Sequence, residues 1–185
     1  SFSLPYLFSN SRELENRYFL SLRVFVRLEG MEKGMENSNS SQGEYFISPS
    51  RGRREFLQVI GDVAEFVSED ATCKYSVVVG TDSEEIVTPN GHAGLAHFVS
   101  VITVHRIGKH GRYFWKRTPD VKTFDRHDRI LKEAYYSLEL AQRVVAQLRN
   151  RLNDRLYDFE IHLDIGHNGP TKSMIQEIVG MITGN

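Results

Sequence analysis

The spacing of apolar and polar positions changes period several times along the chain. Tyr75-Ser-Val-Val-Val-Gly-Thr-Asp82-Ser83 is a short apolar run that ends in a carboxylate. Such a run reads as a buried strand that delivers Asp82 to a strand end. Ala96 to Ile107 is rich in β-branched residues and predicts a long second strand. Gly108-Lys-His-Gly111 then makes a short turn, so Tyr113 to Arg117 should return antiparallel as a third strand, ended by Pro119. On either side of this block the period becomes three and four. Arg51 to Ser68 predicts a helix with Phe56, Val59, Ile60, Val63 and Phe66/Val67 on one face. Asp125 to about Asn153 predicts a longer one, with Ile130, Ala134, Leu138, Ala141, Val145, Leu148 and Leu152 as its stripe. Phe159 to Ile165 is a fourth strand, carrying Asp164 near its end. After the glycine-rich turn Gly166-His-Asn-Gly-Pro170, a final helix should run through Met181.

This order implies an α/β fold: a three-strand antiparallel meander, a helical crossover, and a fourth strand parallel to the first, in a mixed sheet flanked by helices. A parallel strand is reached through a crossover, which should be right-handed. If the fourth strand docks beside the first, Asp82 and Asp164 arrive on adjacent strands near their carboxyl ends, where open α/β sheets place ligands. Residues 31–50, dominated by Gly, Asn, Ser and Glu, read as a linker. Residues 1–44 are therefore expected to be disordered or extraneous, and 45–185 to form the domain, with regular structure beginning near Ser50. The first segment is aromatic and basic, but Glu13, Glu15 and Glu29 argue against a targeting peptide.

Composition narrows the function classes. A chain of 185 residues can bury one ordinary core. The formal net charge of -1 gives no global basic character, so nucleic acid would need a local patch. With a single cysteine, Cys73, neither an intramolecular disulfide nor a cysteine-rich zinc site can form, and a reducing cytoplasm is the simplest compartment. No apolar run approaches the ~18–20 residues needed to span a bilayer.

The chemistry rests on three carboxylates that the topology would gather. Glu133 lies one residue before Ala134 and three after Ile130, at the border of the long helix's apolar stripe. A border glutamate is ordinarily just solvated, so the combination with Asp82 and Asp164 is what makes it a candidate. Two carboxylates ~4 Å apart repel by roughly 1 kcal/mol in water and about 4 at an effective dielectric of 20. A divalent cation offsets that cost, and an all-oxygen donor set favours Mg²⁺ or Mn²⁺. Such ions serve phosphodiester hydrolysis. Ser83 could donate to a ligand, His162 shares a face with Asp164, and His167 follows in the turn as a proton-shuttle candidate. Arg51, Arg53, Arg54, Lys116, Arg117 and Lys172, together with Lys109 and Arg112, are the available phosphate contacts for RNA or DNA. Tyr113 and Trp115 could stack on bases. The basic start of the first helix has the wrong sign for the helix dipole, which hints at another use for Arg51, Arg53 and Arg54. Neither a Gly-x-Ser-x-Gly elbow nor a Walker loop is present.

Val79-Gly-Thr-Asp82-Ser83, Val104-His-Arg-Ile-Gly108, Ile130-Leu-Lys-Glu133-Ala134, His162-Leu-Asp164-Ile-Gly166 and Gly169-Pro-Thr-Lys-Ser173 together resemble the YkuK-like family of ribonuclease H-like proteins. The resemblance covers roughly residues 45–185. It implies a ribonuclease H-like fold with Asp82, Glu133 and Asp164 as its acidic, metal-holding core. Nuclease activity follows only from the fold class, and fold does not fix function. Glu84 stands where the family usually has Gln, adding a carboxylate at the site edge. Family members usually continue beyond the position of Asn185, so a truncated carboxyl terminus is expected. Two alternatives stay open. One is a non-catalytic module that binds nucleic acid or protein. The other is an actin-like or sugar-kinase-like phosphotransferase, disfavoured by the lack of a second glycine-rich loop.

Overall fold

A computed structural model describes residues 44–86, 94–152 and 157–163, and the backbone of residues 21–25 and 164. Among the described residues, seven strands and two helices follow in the order β1 (Ser21–Phe25), β2 (Tyr45–Ser48), β3 (Gly52–Glu55), α1 (Phe56–Ser68), β4 (Tyr75–Glu85), β5 (Leu95–Arg106), β6 (Gly111–Lys122), α2 (Arg126–Arg149) and β7 (Tyr157–Asp164). The strands form one mixed sheet in the order β1-β7-β4-β5-β6-β2-β3.

The expected meander is present. β4 pairs antiparallel with β5, and β5 with β6. The expected parallel strand is β7, which lies beside β4 with Val79 opposite Ile161 and Gly80 opposite His162. Alternation sorts the sheet into two faces. Tyr75, Val77 and Val79 of β4, Ile102 and Val104 of β5, Phe114 of β6, Phe46 of β2, and Phe159, Ile161 and Leu163 of β7 form one buried cluster with both helices. α1 adds Val59, Ile60, Val63, Phe66 and Val67, and α2 adds Ala134, Leu140, Ala141, Val144, Val145 and Leu148. Each such large apolar side chain stabilises the fold by roughly 1.5–3 kcal/mol on burial.

Several boundaries differ from the sequence expectation. Residues 45–55, expected to be linker and helix start, fold into the hairpin β2–β3, and α1 begins only at Phe56. The local sequence contains the signals: Tyr45-Phe-Ile-Ser48 alternates exposed and buried, and Gly52 turns at φ 69°. Glu55 and Gln58 form a reciprocal capping box that starts the helix. The basic residues before α1 therefore lie outside its first turn. Ser21–Phe25, inside the segment left outside the domain, forms edge strand β1 antiparallel to β7. β6 runs through Pro119 instead of stopping there. Pairing passes from Phe98 opposite Thr118 to Ala96 opposite Val121, so Pro119 and Asp120 together oppose His97 in a bulge. Asp120 takes φ 56° there, and a bulge tolerates a proline that a regular ladder would not. α2 starts as expected, with the Asp125 side chain accepting from the Asp128 N–H. The final helix expected after Pro170 lies outside the described residues, as do His167 and Lys172.

Candidate functional site

Asp82 lies two positions beyond Gly80, and Asp164 two positions beyond His162. Continuing the parallel register of β4 and β7 by that step sets the two aspartates level on adjacent strands. Both then belong to the sheet face opposite α1 and α2. Asp82 is exposed, and its Oδ1 accepts the Ser83 N–H at 2.8 Å. Desolvation by its surroundings pushes the Asp82 carboxyl above its ordinary value, against the Ser83 N–H and the attraction of Arg129, with Glu84 raising it further. For Asp164 the structure gives the backbone position alone.

Glu133 approaches the same strand end from the helix side. It is 7% exposed, inside the buried face of α2 and not at its border. The buried positions of α2 include Glu133, Ser137, Leu140 and Val144, a stripe rotated slightly from the one the apolar residues alone suggest. The polar Ser137 hides that rotation from a reading by hydrophobicity. The Ser83 hydroxyl donates to Glu133 Oε1. Thus the serine after Asp82 meets Glu133 across the core face, while Asp82 itself sits on the other face. Among the described residues, no three His, Cys, Asp or Glu side chains are close enough to hold a metal ion.

On the Asp82 face of β7, Glu160 is held from two sides. Ser76 Oγ donates to its Oε1 at 3.1 Å, and His162 Nε2 lies 2.9 Å from its Oε2. Arg129 was not singled out by the sequence reading. It lies four residues before Glu133, one turn along α2, and its Nη1 is 3.7 Å from Glu85 Oε2. The i, i+4 spacing to Glu133 is the signal that could have found it.

The basic candidates separate sharply. Arg54 Nε lies 2.9 Å from Asp62 Oδ2, and Arg51 Nη2 lies 3.0 Å from Glu65 Oε1, so both tie the hairpin to α1. Lys116 and Arg143 grip Glu44 together. Arg112 pairs with Glu69 at 2.8 Å, and Lys109 lies 3.7 Å from Asp70. Arg53 instead stacks its guanidinium 3.4 Å above the Tyr45 ring. Arg117 is exposed and has no carboxylate partner among the described residues.

A mixed sheet with an antiparallel meander and a helical crossover to a parallel strand is the arrangement of a ribonuclease H-like protein. The chain belongs to that family: the family description "Ribonuclease H-like" matches residues 58–185. It is 30% identical over 148 residues to the uncharacterized protein YkuK of Bacillus subtilis (strain 168), covering 75% of this chain and 83% of that protein. No solved structure matches significantly. No helix among the described residues is long and apolar enough to cross a membrane.

Proposed function

We propose that the protein hydrolyses phosphodiester bonds of RNA or DNA at the β4–β7 strand ends, in a reducing cytoplasm. The observation that supports this reading is the parallel pairing of β4 with β7 up to Gly80 opposite His162, whose continuation by two positions would bring Asp82 and Asp164 level. The donor chemistry fits a hard divalent cation. Asp82 is an exposed carboxylate, and Glu84 adds a second carboxylate two positions along the same face of β4. Asp82 and Asp164 would hold Mg²⁺ or Mn²⁺, and Glu133 would join them as third carboxylate only on leaving its Ser83 contact on the core face. Bound there, the cation would supply water activation and charge stabilisation at the leaving oxygen. The chain's own groups do the positioning. Ser83 fixes Glu133 through its hydroxyl, and Arg129 offers positive charge near Asp82. The Glu160–His162 pair lies next to this end on the same face and keeps the His162 ring oriented.

A second reading, a nucleic-acid-binding module without catalysis, is favoured by one observation. Glu133 is turned into the core face and engaged by Ser83, away from the face of Asp82. Cleavage of labelled RNA, DNA and hybrid substrates with Mg²⁺ or Mn²⁺ separates the two. The nuclease reading expects metal-dependent cleavage that Asp82→Asn and Asp164→Asn each abolish. Nucleic-acid binding with no cleavage under either metal leaves the binding module.

A further inference from the structure

The sheet face turned away from α1 and α2 has an uneven charge distribution. Register alone places Arg53, Ile47, Trp115, Val101, Gly80 and His162 in one row across six strands. The neighbouring row runs from Arg117 through Val99 to Asp82. The β4–β7 half of this face carries Asp82, Glu84, Asp158 and Glu160. The β2–β3–β6 half carries Tyr45, Ile47, Arg53, Tyr113, Trp115 and Arg117, along with the acid Glu55, whose side chain is engaged in the α1 capping box. Tyr45 is 40% and Ile47 39% exposed, while Arg53 and Arg117 are exposed and Tyr113 and Trp115 partly so. The other basic candidates paired above serve intramolecular contacts; these two arginines have no carboxylate partner among the described residues.

We infer that this basic, aromatic half of the sheet face binds single-stranded nucleic acid and leads it toward the acidic half. Unpaired bases present π-faces that aromatic side chains can cover, whereas a duplex hides them. Tyr45, Tyr113 and Trp115 offer rings on one surface, and Arg53, already stacked on Tyr45, extends that platform with a cation. Arg117 supplies a phosphate contact on the row of Asp82. Two strand spacings of ~4.8 Å separate them, so about 10 Å, or roughly three nucleotides at a ~3.4 Å rise, lies between the contact and the carboxylate. The direction of the path rests on the reading of Asp82 and Asp164 as the reacting end; the binding does not.

The test is fluorescence anisotropy in EDTA at low salt, with labelled single-stranded RNA, single-stranded DNA and the matching duplex, each of roughly 16 nucleotides. Wild type should prefer the single strands, and Trp115, the sole tryptophan, should be quenched on binding. Tyr45→Ala and Arg117→Glu should each weaken single-strand binding by roughly 5- to 100-fold. Trp115→Phe should retain most affinity, and Lys74→Ala, an exposed charge loss elsewhere, should be silent. Circular dichroism confirms that each variant is folded. Failure of wild type to bind, equal or tighter binding of the duplex, or affinity unchanged in both Tyr45→Ala and Arg117→Glu overturns the inference. Cleavage measured in parallel keeps the two readings apart. Metal-dependent cleavage with unaffected strip variants defeats the strip alone, and strip-dependent binding without cleavage defeats the nuclease alone.

Discussion

Ser83→Ala isolates the contact that joins the β4 end to α2. The serine is partly buried, and Glu133 beneath it is 7% exposed, so water cannot freely replace the lost hydroxyl. A hydrogen bond to a charged group contributes ~1.5–3 kcal/mol when well shielded. With Ser83 itself partly open to solvent, about 1–2 kcal/mol is the appropriate figure by the same scale. For a chain of this size that corresponds to a fall in Tm of about 2–8 °C. The assay is urea and thermal unfolding of Ser83→Ala alone and in a Glu133→Leu background. Without an acceptor the hydroxyl has nothing to hold, so the serine substitution should be close to neutral there. Ser83→Thr, which keeps a hydroxyl, should recover much of the loss. An equal cost for Ser83→Ala in both backgrounds would refute the reasoning, because the effect would then arise from strand propensity or packing.

Two further perturbations test the fold around the site. Desolvation alone would raise the Glu44 carboxyl, but the hydrogen bonds and charges of Arg143 and Lys116 outweigh it and hold it below its ordinary value of 4.5. A depressed acid stabilises the fold above its unfolded pKa and loses that contribution as protons are added. The stability gap between wild type and Glu44→Gln, about 1–2 kcal/mol at neutral pH for these partly exposed charges, should be constant down to about pH 4.5 and close below it in unfolding curves. Gly111→Ala would bring a Cβ within 2.7 Å of the Val104 carbonyl oxygen at the β5–β6 hairpin. Its cost should be about 1–3 kcal/mol in urea midpoint, whereas an unchanged midpoint would show that the hairpin can shift.

The local signals that survive in one dimension were the ones legible from the sequence. Periods of two and three-to-four, together with the caps of α2, identified the meander, both helices and the strand carrying Asp164. The crossover logic then put Asp82 and Asp164 on neighbouring parallel strands, because few connections reach a parallel partner. Family membership was likewise carried by short motifs at strand ends. Hairpin β2–β3 escaped because each of its strands is four residues long, too short for alternation to stand out against polar flanks. Strand β1 escaped for a different reason: edge pairing with β7 is a long-range event that a five-residue segment does not announce.

What only the tertiary structure decided was which face each side chain serves. Composition cannot tell a free arginine from one spent on a distant carboxylate. Arg54 meets Asp62 across the β3–α1 turn and Lys116 meets Glu44 from another strand, while Arg53, beside Arg54, points to the opposite face because alternation sends it there. Similarly, Asp82 and Ser83 are adjacent in sequence yet stand on opposite faces, and Ser83 makes the contact to Glu133. Sequence patterns set which residues can share a strand or a helix stripe; packing of the helices on one face of the sheet determines which of them meet.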